Sequence, residues 1–114
     1  MQKVEKEISL KELEEMTNKM FDALVKAVVD VEKEIMVVDA EMHADQEKFL
    51  LEKGSKQENL WGINLYPEMY NSEDFVEFDS MINIRPAQNN RSRSVEDEKI
   101  QKKIREIVEK LVKK

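Results

Sequence analysis

Val28-Val29-Asp30-Val31, then Glu32-Lys33-Glu34, then Ile35-Met36-Val37-Val38 place two runs of β-branched and apolar residues on either side of three charged ones. Such runs suit a pleated, half-buried surface, and a short charged break allows the chain to reverse, so two short antiparallel strands are predicted. Before them, Ser9-Leu10-Lys11-Glu12 has the form of a capping box, in which a Ser oxygen accepts from a free N–H of the first turn. Leu10, Leu13, Thr17, Met20, Phe21 and Leu24 then recur at spacings of three and four. That period predicts a helix ending near Val25, with Lys11, Glu14, Glu15, Asn18 and Lys19 in water. After them, continuing the second strand to His43 puts Met36, Val38, Ala40 and Met42 on one face and Val37, Asp39, Glu41 and His43 on the other. Asp45 as a cap predicts a short helix through Gln46, Phe49, Leu50 and Lys53, with Gly54 where a left-handed residue is wanted.

Further along, Leu60 to Tyr66 reads as a third strand halted by Pro67, and Phe75 to Arg85 as a fourth halted by Pro86. In the fourth, Val76, Phe78, Ser80, Ile82 and Ile84 share a core face and Phe75, Glu77, Asp79, Met81, Asn83 and Arg85 a mixed polar one. Pro86 to Ser94 has no apolar period and reads as a loop. Ser94 with Asp97 is a second capping pair, ahead of a helix whose stripe of Ile100, Ile104, Ile107, Val108 and Leu111 is the clearest in the chain. These elements predict an α+β fold, a small antiparallel sheet of about four strands packed with three helices in the order α-β-β-α-β-β-α. The sheet is expected to be covered on one face, in a single domain over residues 1–114.

The composition removes many functions. At 114 residues the chain has room for one domain, and its charged fraction of 39% is well above the usual figure of about 25%. With no cysteine there is no disulfide, thiol chemistry or cysteine metal site, and a single histidine rules out histidine-rich sites. Two glycines, Gly54 and Gly62, cannot build a P-loop or a G-x-G-x-x-G turn. A net charge of −6 argues against general nucleic-acid binding, so any anion site must be local. No apolar run approaches the roughly 20 residues of a membrane span, and the charged start does not resemble a signal peptide, so a soluble cytoplasmic chain without a membrane role is expected. No cofactor is predicted.

Two constellations have chemical content. Arg85, Arg91 and Arg93 are the only charges between Asp79 and Glu96, and they lead into a helix N-terminus whose free N–H groups favour an anion. Arginine forks suit phosphate or carboxylate, and Asn83, Asn89, Asn90, Ser92 and Ser94 add neutral donors. The ligand-binding set is accordingly Asn83, Arg85, Asn90, Arg91, Ser92 and Arg93. The plainer alternative pairs Arg85 with Glu77 or Asp79 and leaves the other arginines solvated. The second constellation is Glu41, His43 and Asp45, within a stretch from Asp30 to Glu52 that carries eight acids and two lysines. Imidazole with carboxylates suits Zn, Mn or Fe, although a solvated acidic face explains the charges equally well. Asp79 beside Ser80 has no histidine base in its sequence neighbourhood.

Three functions follow. The first is a binding module that captures a small anionic ligand or an acidic partner segment through the arginine loop and the polar sheet face. The second is a metal-assisted hydrolase using Glu41, His43 and Asp45, and the third a structural protein pairing as a homodimer. One feature discriminates among them: a common cleft for the arginine loop and the His43 acids, with inward-pointing carboxylates, favours catalysis, whereas opposite sides leave binding or assembly.

Certain strings are also distinctive: Glu41 to Asp45, Gly54 to Pro67, Glu77 to Pro86, and Asn90 to Arg93 before Val95-Glu96-Asp97. Over residues 26–97 they resemble a family of small prokaryotic proteins catalogued as a domain of unknown function, which implies no activity. Where that family has small residues before the Glu-x-His segment and an apolar first strand, this chain has Asp39-Ala40 and Lys3-Val4-Glu5-Lys6. A strand before Ser9 is therefore not expected.

Overall fold

In a computed structural model, which describes residues 1–19 and 23–114, the elements in chain order are β1 (Gln2–Val4), β2 (Ile8–Ser9), α1 (Leu10–Lys19), β3 (Val25–Asp30), β4 (Ile35–Val38), α2 (His43–Glu52), β5 (Leu60–Leu65), β6 (Val76–Glu77), α3 (Glu98–Leu111) and β7 (Val112–Lys113). Five strands form one antiparallel sheet in the order β1-β4-β3-β5-β6, and β2 pairs in parallel with β7. The fold is α+β. Among the described residues no helix is long and apolar enough to cross a membrane.

Register explains the core. Ala27 faces Val38 and Ile63, and Val29 faces Met36 and Trp61, so these side chains share one side of the sheet. That side packs on α1 and α3 through Leu13, Met16, Ile104, Ile107, Val108 and Leu111. The β2–β7 pair joins the segment before α1 to the one after α3, holding the two helices over the same face. Glu34, at the β3–β4 turn, also receives Lys103 and Lys110 of α3, each at 3.1 Å.

The opposite face is covered too, which corrects the expectation of a sheet sheltered on one side. Val28, Val37, Leu50 and Leu60 form a second cluster, with Phe49 and Ile82 against it, beneath α2. β1 is likewise a correction to the strand count: its only buried residue is Val4, and an exposed edge strand with one apolar residue has almost no periodic signal. Ser9 does cap α1, its Oγ accepting from Glu12 N at 3.1 Å. The helix does not reach Val25, which opens β3; Met20 and Phe21 lie outside the described residues. β4 stops at Val38 because Asp39 takes a φ of +67°, so Glu41 and His43 do not continue its alternation and His43 begins α2 instead. Gly54 follows α2 with φ +100°, as its position suggested.

The predicted fourth strand is strand only at Val76–Glu77. Beyond it the chain leaves the sheet, and the exposed edge of β5 is completed by one side chain. Asn83 Oδ1 accepts from Gly62 N at 2.8 Å and its Nδ2 donates to Gly62 O at 3.0 Å, so a single amide stands in for a strand residue. The approach is close: a Cβ on Gly62 would lie 2.5 Å from Ser80 Cβ and Oγ. Ser80 Oγ accepts from Ile82 N and starts a 3-10 turn over Met81–Asn83. Similarly, α3 begins at Glu98 with Asp97 alone as its cap, its side chain accepting from Lys99 N. Ser94 lies outside that cap and offers its carbonyl to Asn90 Nδ2 at 2.7 Å.

Candidate functional site

The six residues of the arginine loop take different roles. Asn83 is fully buried at the β5 edge and also donates to Arg93 O. Asn90 is buried and donates to Asn83 O and Ser94 O, while its Oδ1 accepts from Glu96 N, so it holds the loop closed. Arg85 lies 4.2 Å above the Trp61 ring and donates to Gln57 O. Burial lowers its pKa from the ordinary value, against the opposing field of Glu47. The backbone N–H groups of Arg91 and Ser92 both donate to the Glu96 carboxylate at 2.8 Å, so an anion supplied by the chain occupies the loop's turn. The Ser92 side chain, the Arg91 N–H and the Ser92 N–H hold that carboxyl below its usual range. Arg93 alone reaches a cleft, and it is Arg93, not Arg85, that pairs with Asp79, Nε to Oδ1 at 2.6 Å.

That cleft, about 200 Å³, opens on the second face of the sheet. Its floor is Lys26 of β3 and Asn64 of β5, which are cross-strand partners. One wall is Met42, His43 and Ala44 at the start of α2; the other is Asp79 to Ile82 with Arg93. Arg93 of the arginine loop and His43 thus line one cleft, but the acids expected beside His43, Glu41 and Asp45, are not part of its lining, and its one carboxylate, Asp79, is paired with Arg93. Lys26 Nζ donates to Glu41 O at 2.8 Å, fixing the segment that enters α2. No side chain caps α2 at Met42; Asp45 N donates to Met42 O at 3.2 Å, and His43 and Ala44, the first two residues of the helix, belong to the cleft wall at its partly positive end.

His43 is buried, and its Nε2 lies 2.8 Å from Ile63 O. A carbonyl only accepts, so Nε2 carries the proton, and in the neutral ring Nδ1 holds the lone pair. Burial lowers the His43 pKa; the Ile63 bond and Asp79 oppose this, and Lys26 and Arg93 reinforce it. Neutral imidazole with a fixed tautomer results. Asn64, 5% exposed, is oriented as firmly: Nδ2 donates to Glu77 Oε1 at 2.8 Å and to Asp79 O at 3.3 Å. Its Oδ1 must point the other way, and it is buried with no partner among the described residues.

Glu41, His43 and Asp45 are not gathered. Glu41 is exposed in the turn before α2, and Asp45 is exposed two residues beyond His43 on the helix, a spacing that points side chains apart. Among the described residues no three histidine or carboxylate side chains are grouped to hold a metal. The cleft does bring His43 to Asp79 and Ser80, though Ser80 is 1% exposed and its Oγ is engaged by Ile82 N. Lys26 and Asn64 had no assigned role in the sequence. Asn64 had a usable signal, one amide inside the apolar run Leu60 to Leu65, whereas Lys26 had none before the strand register was known.

The chain belongs to the protein family of unknown function DUF5674, whose model matches residues 2–111. No curated protein matches it, and no solved structure does.

Proposed function

With membership in a family that brings no activity as the premise, we propose that the protein is a binding module for a small anion, held in the cleft between α2 and the Arg93 loop. The charge of the lining carries this reading: Lys26 and Arg93 against Asp79 make a positive spot on a chain of net charge −6, beside the uncapped start of a helix. Backbone N–H groups and an arginine together are the usual equipment for holding an oxyanion.

Sodium sulfate, titrated into 15N-labelled protein with ionic strength held constant by chloride, tests it. The amides of His43 and Ala44 and the side-chain amide of Asn64 should shift saturably, and the melting temperature should rise by mass action. Arg93→Gln should weaken sulfate about tenfold or more, because it removes a charge-assisted donor and leaves Asp79 as an unpaired negative charge in the cleft. Identical spectra in sulfate and chloride would reject the anion site.

A further inference from the structure

We infer that the ligand of this cleft is a small carboxylate that also carries a hydroxyl or ammonium donor and a short hydrocarbon side chain, an inference that rests on reading the cleft as an anion site. An anion satisfies donors only. Here two buried polar side chains of the lining, Asn64 and His43, carry acceptors that no group among the described residues fills. Asn64 Oδ1 has no partner, and the amide cannot flip to help, since Nδ2 is held by Glu77 and the Asp79 carbonyl. His43 cannot donate from Nδ1 while Nε2–H is committed to Ile63 O. Sulfate or a plain carboxylate therefore leaves the buried Asn64 Oδ1 unsatisfied and offers His43 Nδ1 nothing in place of water, which a site with buried polar groups discriminates against. One O–H or N–H on the same small molecule meets that need. The Asp79 carboxylate, on the wall opposite His43, is compatible with an ammonium as well as a hydroxyl.

The hydrocarbon part follows from the rim. Met42 and Met81, on opposite walls, are 56% and 65% exposed. Two such thioethers above a polar floor offer an adaptable apolar contact to the outward side of a ligand whose polar atoms face the sheet.

Four probes separate the parts: 4-methylpentanoate, L-2-hydroxy-4-methylpentanoate, L-leucine and glycolate, each titrated into the wild-type protein and followed by amide shifts. At least one of the two branched donor-bearing ligands should bind about tenfold more tightly than 4-methylpentanoate and than glycolate. Its binding should move the His43 Nδ1 resonance in a long-range 1H–15N spectrum, which 4-methylpentanoate should leave in place. Met42→Ala and Met81→Ala alter exposed side chains and should weaken the branched ligand without changing glycolate. If 4-methylpentanoate binds as tightly as both donor-bearing ligands, or glycolate as tightly as they do, the inference is overturned while the anion site stands. If none of the four, nor sulfate, perturbs the cleft, the anion site itself falls and the inference with it.

Discussion

The two faces of the sheet are built from alternate residues of the same strands, yet they are held by different forces. On the face beneath α1 and α3, Val25, Ala27, Val29, Trp61, Ile63 and Leu65 bury hydrocarbon against hydrocarbon. On the other, the positions between them are Lys26, Val28, Asp30, Gly62 and Asn64, and specific hydrogen bonds hold the polar groups there. Asp30 Oδ1 accepts from Glu32 N and Lys33 N, and its Oδ2 from Ser55 Oγ at 2.6 Å. Gln46 Nε2 donates to Lys26 O at 2.7 Å, and Asn83 closes Gly62. Apolar packing tolerates small misfits, whereas a buried polar pair fails as a unit when one member is lost. Among the described residues the matching is incomplete at Gln46 Oε1, Glu47 Oε2 and Arg85 Nε and Nη2 as well as at Asn64 Oδ1, and of these residues only Asn64 lines the cleft.

The largest expected effect comes from breaking that matching at its tightest point. Asn83→Leu keeps the volume but strands Gly62 N, Gly62 O and Arg93 O, and should cost about 3–5 kcal/mol in urea unfolding. Ile63→Val, on the apolar face at the same strand, should cost only about 1 kcal/mol. Comparable losses for the two would mean that the β5 edge is not closed by the amide. Next in size, Gly62→Ala forces a methyl into Ser80 and should cost about 1–3 kcal/mol. Adding Ser80→Gly should recover part of the loss, and a double-mutant cycle without coupling would show that the strain lies elsewhere.

The same contrast governs what was legible in the sequence. Apolar periodicity found α1, α3 and the β3–β4 pair, because hydrocarbon burial repeats with the element. It failed at Phe75 to Arg85, where Val76, Phe78, Ser80, Ile82 and Ile84 alternate but the chain turns after Glu77. There Ser80 and Asn83 act through specific bonds, not through a period. Asp79-Ser80 and Asn83, turn-forming types within a nominal strand, were the warning. His43 was misplaced for a related reason: the left-handed Asp39 that ends β4 leaves no apolar trace. Of the arginines, only the fold could separate Arg93, which lines the cleft, from Arg85 on Trp61 and from Arg91, whose N–H is held by Glu96.

A smaller effect separates the faces by pH. The native His43 pKa is lowered, chiefly by burial, so below the ordinary value near 6.5 the unfolded chain binds a proton that the native one resists. Stability is full above that value and is lost as pH falls toward the native pKa, by at most about 1.4 kcal/mol per pH unit. His43→Gln should flatten this slope in urea unfolding between pH 7 and 5.5. An unchanged slope would place the titrating group elsewhere.

The smallest expected effect lies at Glu96, whose carboxylate receives Arg91 N and Ser92 N at the turn that presents Arg93 to the cleft. Its contacts are exposed, so Glu96→Gln should lower the melting temperature only slightly at pH 7, since an amide oxygen still accepts but without the charge. The sign with pH is opposite in origin to a raised carboxyl. Because the native pKa is lowered, the stabilisation is present above the unfolded carboxylate range and disappears as pH falls through the native value. Melting curves of the two proteins should therefore separate at pH 7 and draw together as pH falls below the ordinary carboxylate range, where a protonated Glu96 resembles Gln. At neutral pH, Glu96→Gln should also loosen the loop and weaken sulfate less than Arg93→Gln does, because it changes the support of the cleft and not its charge. If Glu96→Gln weakened sulfate as much as Arg93→Gln, the anion would be held by the Arg91–Ser92 turn, and the polar face of the sheet would have no part in binding it.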